Sequence, residues 1–255
     1  MKQIDVNSDL GEGFGPYKAA DDEALLDLVS SANIACGFHA GDPVVMDRTV
    51  RLALARGVEI GAHVGYADRQ GFGRRHIAVD HRELELMTLY QLGALQAIAD
   101  AAGQRLTHAN FHGALGNLSF VDADVADALL RAVRTFDRDL IFLALPNTEA
   151  ERAAERHGLR VIRSFLADRA YDSRGLLVPR AVPGAVVRDP DRIAARITRL
   201  LQDGTVETID GGTIRLDASS ILVHSDTPGA VTLARIVVQA IREAGAEIVP
   251  LSQAA

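Results

Sequence analysis

Acids and imidazoles recur at equivalent places along this chain, just past short apolar runs. Asn7, Asp9 and Glu12 follow Ile4 to Val6, His39 and Asp42 follow Ala32 to Cys36, and His63 follows Val58 to Ala62. Further on, His112 and Asn117 follow Leu106 to Phe111, Asp168 and Arg169 follow Leu159 to Phe165, and His224 and Asp226 follow Ile221 to Val223. Carboxylate and imidazole together transfer protons at neutral pH, and the same donor types ligate divalent metals. Glycines flank several of these positions, in Gly11-Glu12-Gly13, Gly37-Phe38-His39-Ala40-Gly41 and His112-Gly113, where a missing side chain lets backbone approach a ligand.

Some of these residues have plainer readings. Asp42 directly precedes Pro43 and suits a helix N-cap; Asp226 precedes Thr227-Pro228 and suits the positive end of a helix. His76, His81 and His157 lie in loop or helix contexts without the convergence and receive no role. Cys36 falls within a predicted strand and reads as a small core residue. The chain has neither a GxxxxGK[ST] phosphate loop nor a GxSxG nucleophile elbow.

The elements that must position these groups alternate. Strands are expected at the runs named above and at Leu140 to Leu145 and Glu247 to Leu251, with helical spacing in Asp22 to Val29, Pro43 to Arg56, Arg82 to Ala102, Asp124 to Phe136, Thr148 to Arg156, Pro190 to Leu201 and Pro228 to Ala244. Asp42-Pro43, Asp189-Pro190 and Thr227-Pro228 mark helix starts, and Gly57, Gly103, Gly158 and Gly245 mark ends. Val206 to Leu216, with Asp210-Gly211-Gly212, reads as a β-hairpin inserted before the penultimate strand. The alternation predicts an α/β fold with a parallel sheet, closed into a barrel or open and doubly wound. In either case residues past the strand C-termini gather on one face.

Composition sets the outer limits. The chain has 255 residues, 48% hydrophobic, within the range of one β/α barrel domain, and no linker or composition shift divides residues 1–255. A formal net charge of -7 argues against a nucleic-acid partner; the local basic stretch Arg74-Arg75-His76 suits a small anion or simply solvent. No apolar stretch approaches the roughly 20 residues that span a bilayer. One cysteine and an N-terminus without signal-peptide character predict a cytoplasmic protein.

At these same residues the chain resembles the LamB/YcsF family. The likeness lies in Asp5-Val6-Asn7-Ser8-Asp9-Leu10-Gly11-Glu12, Ser31 to Asp42, Gly61-Ala62-His63, Gly71-Phe72-Gly73-Arg74, Ala167-Asp168-Arg169-Ala170-Tyr171 and Leu177-Val178-Pro179-Arg180. The resemblance implies an ATP-dependent hydrolase that opens the lactam ring of 5-oxoproline to glutamate with companion B and C subunits. It also implies a distorted β/α barrel of about seven strands, similar to polysaccharide deacetylases, which raises a divalent metal as a candidate without naming ligands. The expected division of labour gives proton transfer to Asp9 or Glu12 with one of His39, His63 or His112, and anion binding to Arg169 and Arg74. Asn7, Asp42, Asn117, Asp168, His224 and Asp226 are expected around the substrate.

Where the family usually has Lys-Pro-His-Gly-Ala-Leu-Tyr-Asn, this chain reads Asn110-Phe111-His112-Gly113-Ala114-Leu115-Gly116-Asn117. Ser164 replaces a glutamate, Leu166 a phenylalanine, and Ser225 the glycine of a His-Gly-Asp motif. These departures leave two further readings open: a metal-dependent hydrolase of another small amide or acetylated sugar, and a diverged subunit kept for assembly.

Overall fold

Branched apolar side chains suit buried strands, and most of the expected runs form them. The computed structural model describes residues 2–254. Its strands are β1 (Gln3–Leu10), β2 (Ser31–Ala35), β3 (Glu59–Val64), β4 (Leu106–Phe111), β5 (Ile141–Ala144), β6 (Arg160–Leu166), β7 (Thr205–Glu207), β8 (Thr213–Arg215), β9 (Ser220–Val223) and β10 (Glu247–Ile248). Between them run the helices α1 (Asp22–Leu26), α2 (Pro43–Ala55), α3 (His81–Ala101), α4 (Gly113–Ser119), α5 (Ala123–Phe136), α6 (Glu149–Arg156), α7 (Pro190–Asp203) and α8 (Ala230–Glu243).

Eight strands share one sheet in the order β10-β1-β2-β3-β4-β5-β6-β9, and β9 also pairs with β1. With β10 set aside as an extra partner of β1, the other seven close into a parallel barrel. Asp5 pairs with Ser220 and Ser8 with Val223 at the closure. The expected hairpin forms an antiparallel pair, β7 with β8, outside the barrel. No helix among the described residues is long and apolar enough to cross a membrane.

Helix ends follow the expected chemistry in most places. Asp42 and Asp189 cap α2 and α7 through backbone N–H groups, and Gly57, Gly103, Gly158 and Gly245 all take positive φ. Two expectations need correction. Thr227 does not cap α8, which starts at Ala230 after a left-handed Gly229; the Thr227 hydroxyl instead donates to Asp168 Oδ2 at 2.8 Å. Helix α4 was not anticipated, because Gly113 and Gly116 interrupt any helical apolar pattern in its seven residues.

Outward-facing residues such as Ile4, Val6, Ile60, Ala62 and Ile221 join the helices in the main apolar cluster. The barrel interior is mixed. One side is apolar: Ile141, Leu143 and Ile162 pack with Val249, Leu251 and Ala254 near the strand N-termini. A 3₁₀ turn at Leu251–Gln253 is anchored there, with the Leu251 N–H donating to Ser31 Oγ at 3.1 Å and Arg160 donating to the Ser252 and Ala254 carbonyls. The other side is polar and holds Asp5, Asn7, Asn33 and His108, all fully buried.

His108 on β4 reaches Asn33 on β2 by crossing β3 at Gly61. A Cβ on Gly61 would lie 2.2 Å from the His108 ring, so the absent side chain is the space the imidazole occupies. Gly61→Ala should therefore destabilise the protein by roughly 1–3 kcal/mol through overpacking, read from urea unfolding. An unchanged midpoint would refute this packing.

Candidate functional site

Inside a closed barrel most buried polar side chains are hydrogen-bonded. Asp5 accepts from Ser30 at 2.8 Å, Ser220 at 2.7 Å and Asn7 at 2.9 Å; burial still raises its pKa against these bonds. Asn33 then donates to Asn7 Oδ1 at 2.8 Å and to Asp9 Oδ1 at 3.0 Å. His108 Nε2 lies 2.9 Å from Asn33 Oδ1. Because that oxygen only accepts, the histidine donates from Nε2 and its Nδ1 is left to accept from Thr107 Oγ1, 2.9 Å away. This fixes the Asn33 amide with its nitrogen toward Asp9. A ladder of side-chain bonds thus climbs the barrel and ends at the first candidate catalytic acid.

Around Asp9 four more of the expected groups converge. Glu12 Oε1 is 3.2 Å from His39 Nε2 and 3.5 Å from His112 Nδ1; His63 Nε2 is 2.9 Å from His112 Nδ1 and 3.5 Å from Asp9 Oδ1. His39 and His112 stack with ring centroids 3.8 Å apart, and His63 meets both edge-on. Gly73 lies over the stack, where a Cβ would come 2.7 Å from His39 Cβ and 2.9 Å from His112 Cδ2. Its neighbour Phe72 holds a positive φ of 53°, a strained conformation for a bulky residue, and its carbonyl accepts from His112 Nε2 at 2.8 Å.

That backbone bond has a chemical consequence. With Nε2 donating, neutral His112 presents a lone pair at Nδ1. His63 Nδ1 faces Asn110 Oδ1 at 2.7 Å, and in this amide orientation it also donates, leaving a second lone pair at Nε2. Two lone pairs 2.9 Å apart repel, and a cation between them removes the repulsion. The donor atoms of Glu12, His39, His63 and His112 lie within 4.8 Å of one another and can hold a divalent metal ion. Carboxylate and imidazole donors of this kind suit zinc or a similar divalent ion. The Phe72 carbonyl and Asn110 would then orient two ligands from behind, the usual arrangement for metal-binding histidines.

Without a cation the cluster favours neutral forms. Burial, then the Asp9 and Asp226 carboxylates, push Glu12 well above the ordinary carboxylate range. Burial, then neighbouring imidazoles, holds His39 and His112 well below the ordinary value. Burial therefore outweighs the Glu12–His39 attraction, and a bound cation would invert the balance by stabilising the Glu12 carboxylate.

A cavity of about 680 Å³ opens on this cluster and is lined by Asp9, His63, His112 and His224. His224 Nδ1 is 2.8 Å from Asp168 Oδ1, whose other oxygen accepts from Thr227. Burial pushes Asp168 up, but His224 and Thr227 together hold it below the ordinary carboxylate range. Arg74 lines the same cavity and donates to Asp226 at 2.7 Å, and Asn117 lines its wall from α4. Asn110, Gly116 and Ser164, three of the positions where the chain departs from the family pattern, all face this space.

Other expected residues sit elsewhere. Asn7 lies below the cavity in the ladder, and Asp42 is occupied by the Gly15, Val44 and Val45 N–H groups. Arg169 lines the cavity but directs its guanidinium at the Val178 and Ala185 carbonyls, at 2.6 and 3.4 Å, so it staples a loop. Asn7, Asp9 and His63 lie within their strands, not past them. Sequence reading passed over Asn33 and His108, which sit mid-strand and lack the strand-end signal, and the backbone carbonyl of Phe72. Cys36 is buried directly after β2, its thiol pushed up to about 12 by burial.

Burial, then the charge of His63, lowers His108 from its ordinary 6.5 to about 3. Between those values the unfolded chain binds one proton that the folded chain does not, so stability falls as pH falls, by about 1.4 kcal/mol per unit. The wild type should lose this much more than His108→Gln between pH 6 and pH 5 in urea unfolding. Parallel stability curves would show that His108 titrates normally.

Comparison with known proteins gives the family. The LamB/YcsF family model matches residues 4–255. The chain is 55% identical over 251 residues to a 5-oxoprolinase A subunit of Pseudomonas syringae pv. tomato, covering 98% of each chain. It is 54% identical to a 5-oxoprolinase A subunit of Bradyrhizobium diazoefficiens, covering 97% of each. A crystal structure of the lactam utilization protein from Thermus thermophilus superposes with a TM-score of 0.93 at 41% identity, over 98% of this chain and 100% of that one. With its full-length match and its Asp, Glu and His residues gathered at one end of the barrel, the chain belongs to the LamB/YcsF family.

Proposed function

We propose that this chain is a lactam-opening hydrolase, the A subunit of a 5-oxoprolinase that converts 5-oxoproline to glutamate. The observation that carries the reading is a single cavity lined by the buried Asp9, His63 and His112 and by His224, which Asp168 holds from behind. Relatives named as 5-oxoprolinase A subunits, and a structural neighbour named for lactam utilization, supply the substrate class. The word subunit in those names supports work in an assembly, which we take to include B and C subunits and cytoplasmic ATP. No phosphate loop is present in the sequence, so ATP coupling belongs in this proposal to the assembly as a whole.

Opening an unstrained amide needs a water positioned against the carbonyl, stabilisation of the developing oxyanion, and a proton for the departing nitrogen. Asp9, oriented by Asn33, is placed to take a proton from water. His224 donates Nδ1–H to Asp168 and so keeps Nε2 for proton transfer, the arrangement by which a carboxylate orients and supports a working imidazole. We assign to Nε2, once protonated from solvent with Asp168 supporting the imidazolium, the donation of that proton to the ring nitrogen that leaves. Glu12, His39, His63 and His112 would hold a divalent metal, which would supply Lewis-acid polarisation of a carbonyl oxygen. The same four residues support a second reading, metal-dependent hydrolysis of another small amide without ATP.

A coupled assay for glutamate and ADP with 5-oxoproline tests the first reading. Product is expected only when the B and C subunits are added, and glutamate release without ADP would favour the second. In the active assembly His224→Asn should lower kcat by about 10²–10⁴ with the fold intact by circular dichroism. Metal analysis should find one divalent ion per chain, lost in a His63→Ala, His112→Ala double variant. A metal-free wild type purified without chelator would remove the metal from the scheme.

A further inference from the structure

We infer that Arg180 is the receptor for the substrate's carboxylate, and that the site therefore selects lactams carrying a free carboxylate over neutral ones. The inference rests on the lactam reading above, and it starts from a comparison of the arginines around the cavity. Arg74, Arg169, Arg174 and Arg180 all line it. Three are committed: Arg74 to Asp226 at 2.7 Å, Arg174 to Asp172 at 2.9 Å, and Arg169 to the Val178 and Ala185 carbonyls. Arg180 is half-buried and makes no hydrogen bond or ion pair among the described residues.

Its backbone is nonetheless held in place. Val178 N–H donates to the Ala170 carbonyl, Ala170 N–H to Ala185 and Val187 N–H to Asp168, while the Arg169 fork spans both ends of the same loop. A stapled loop fixes the point from which the Arg180 side chain extends, so binding loses less to backbone ordering than it would on a mobile loop. Burial, then the charge of Arg74, pulls Arg180 below the ordinary arginine value, with Asp226, Asp168 and Asp9 opposing. Those carboxylates also explain why a receptor is needed. An anionic lactam entering beside Asp9 and Asp168 meets like charge, and among the described residues Arg180 is the cavity arginine whose guanidinium no hydrogen bond or ion pair engages. Its planar fork matches the two oxygens of a carboxylate; a nucleotide phosphate shares that chemistry and is the competing source.

The test measures binding to wild type, Arg180→Gln and Arg180→Lys by calorimetry, in the complete assembly, with four probes: 5-oxoproline, 2-pyrrolidinone (the same ring without the carboxylate), glutarate and inorganic phosphate. Arg180→Gln should weaken 5-oxoproline roughly ten- to hundredfold and leave 2-pyrrolidinone unchanged, with Arg180→Lys between. Equal losses for both lactams, or no loss for either, would overturn the proposal. So would dependence on Arg180 for phosphate alone. Glutarate separates the two levels: Arg180-dependent glutarate binding with no binding of either lactam keeps the carboxylate receptor and sinks the lactam reading. Absence of binding by any probe to wild type would reject the receptor itself.

Discussion

Seven parallel strands closed on themselves leave an interior in which Asp5, Asn7, Asn33 and His108 are fully buried, so one side of it is polar. Everything at the strand C-termini depends on how those buried groups are paired. Asp5, Asn7, Asn33 and His108 form one bonded ladder in which each amide orientation follows from its neighbour. Asp9 is its upper rung. A buried polar group left unpaired costs on the order of 1–3 kcal/mol, so a change low in the ladder has reason to reach the reacting end.

Above the ladder, the cluster gathers charge-bearing groups too closely for all to be ionised. Burial drives Glu12 toward its protonated form and His39 and His112 toward their neutral forms. The backbone carbonyl of Phe72, held in a strained conformation, turns the His112 lone pair inward. Local strain turns a lone pair toward the centre of four donors and burial keeps the imidazoles neutral, the form that offers lone pairs, while Glu12 would have to lose its proton for a cation to bind. The Asp168–His224 pair, bordering the same cavity, has the opposite character, since its carboxylate is held below the ordinary range. Two groups of acids and imidazoles with opposed environments thus lie at one end of the barrel, a pattern that would let one serve as acid and the other as base in the proposed reaction.

Much of this was legible in the sequence, and for identifiable reasons. His39, His112 and His224 follow apolar runs directly, and in a parallel sheet such positions converge whatever the loop lengths. The parallel α/β class came from the strict alternation of apolar runs and helical spacing, although closure needed either coordinates or the family likeness. Asn33 and His108 escaped because an inward-facing polar residue in mid-strand looks like an interruption of an apolar run. The Thr227 cap failed because Asp168 competes for the same hydroxyl, a contact 59 positions away. Arg169 was expected at an anion for its type and place, yet its guanidinium is used within the fold; no local pattern distinguishes it from Arg180.

The closure of the barrel also bears on how the chain reaches its shape. Strand β1 finds β2 within a few tens of residues, but its other edge waits for β9, with Asp5 and Ser220 meeting across 215 positions. During synthesis on the ribosome, the first strand keeps an open edge until nearly all of the barrel has emerged. Pairings this distant in sequence form slowly, and open edges of that kind attract other chains. The ring that gathers the acids and histidines therefore leaves the nascent polypeptide with a long interval in which chaperone protection matters most.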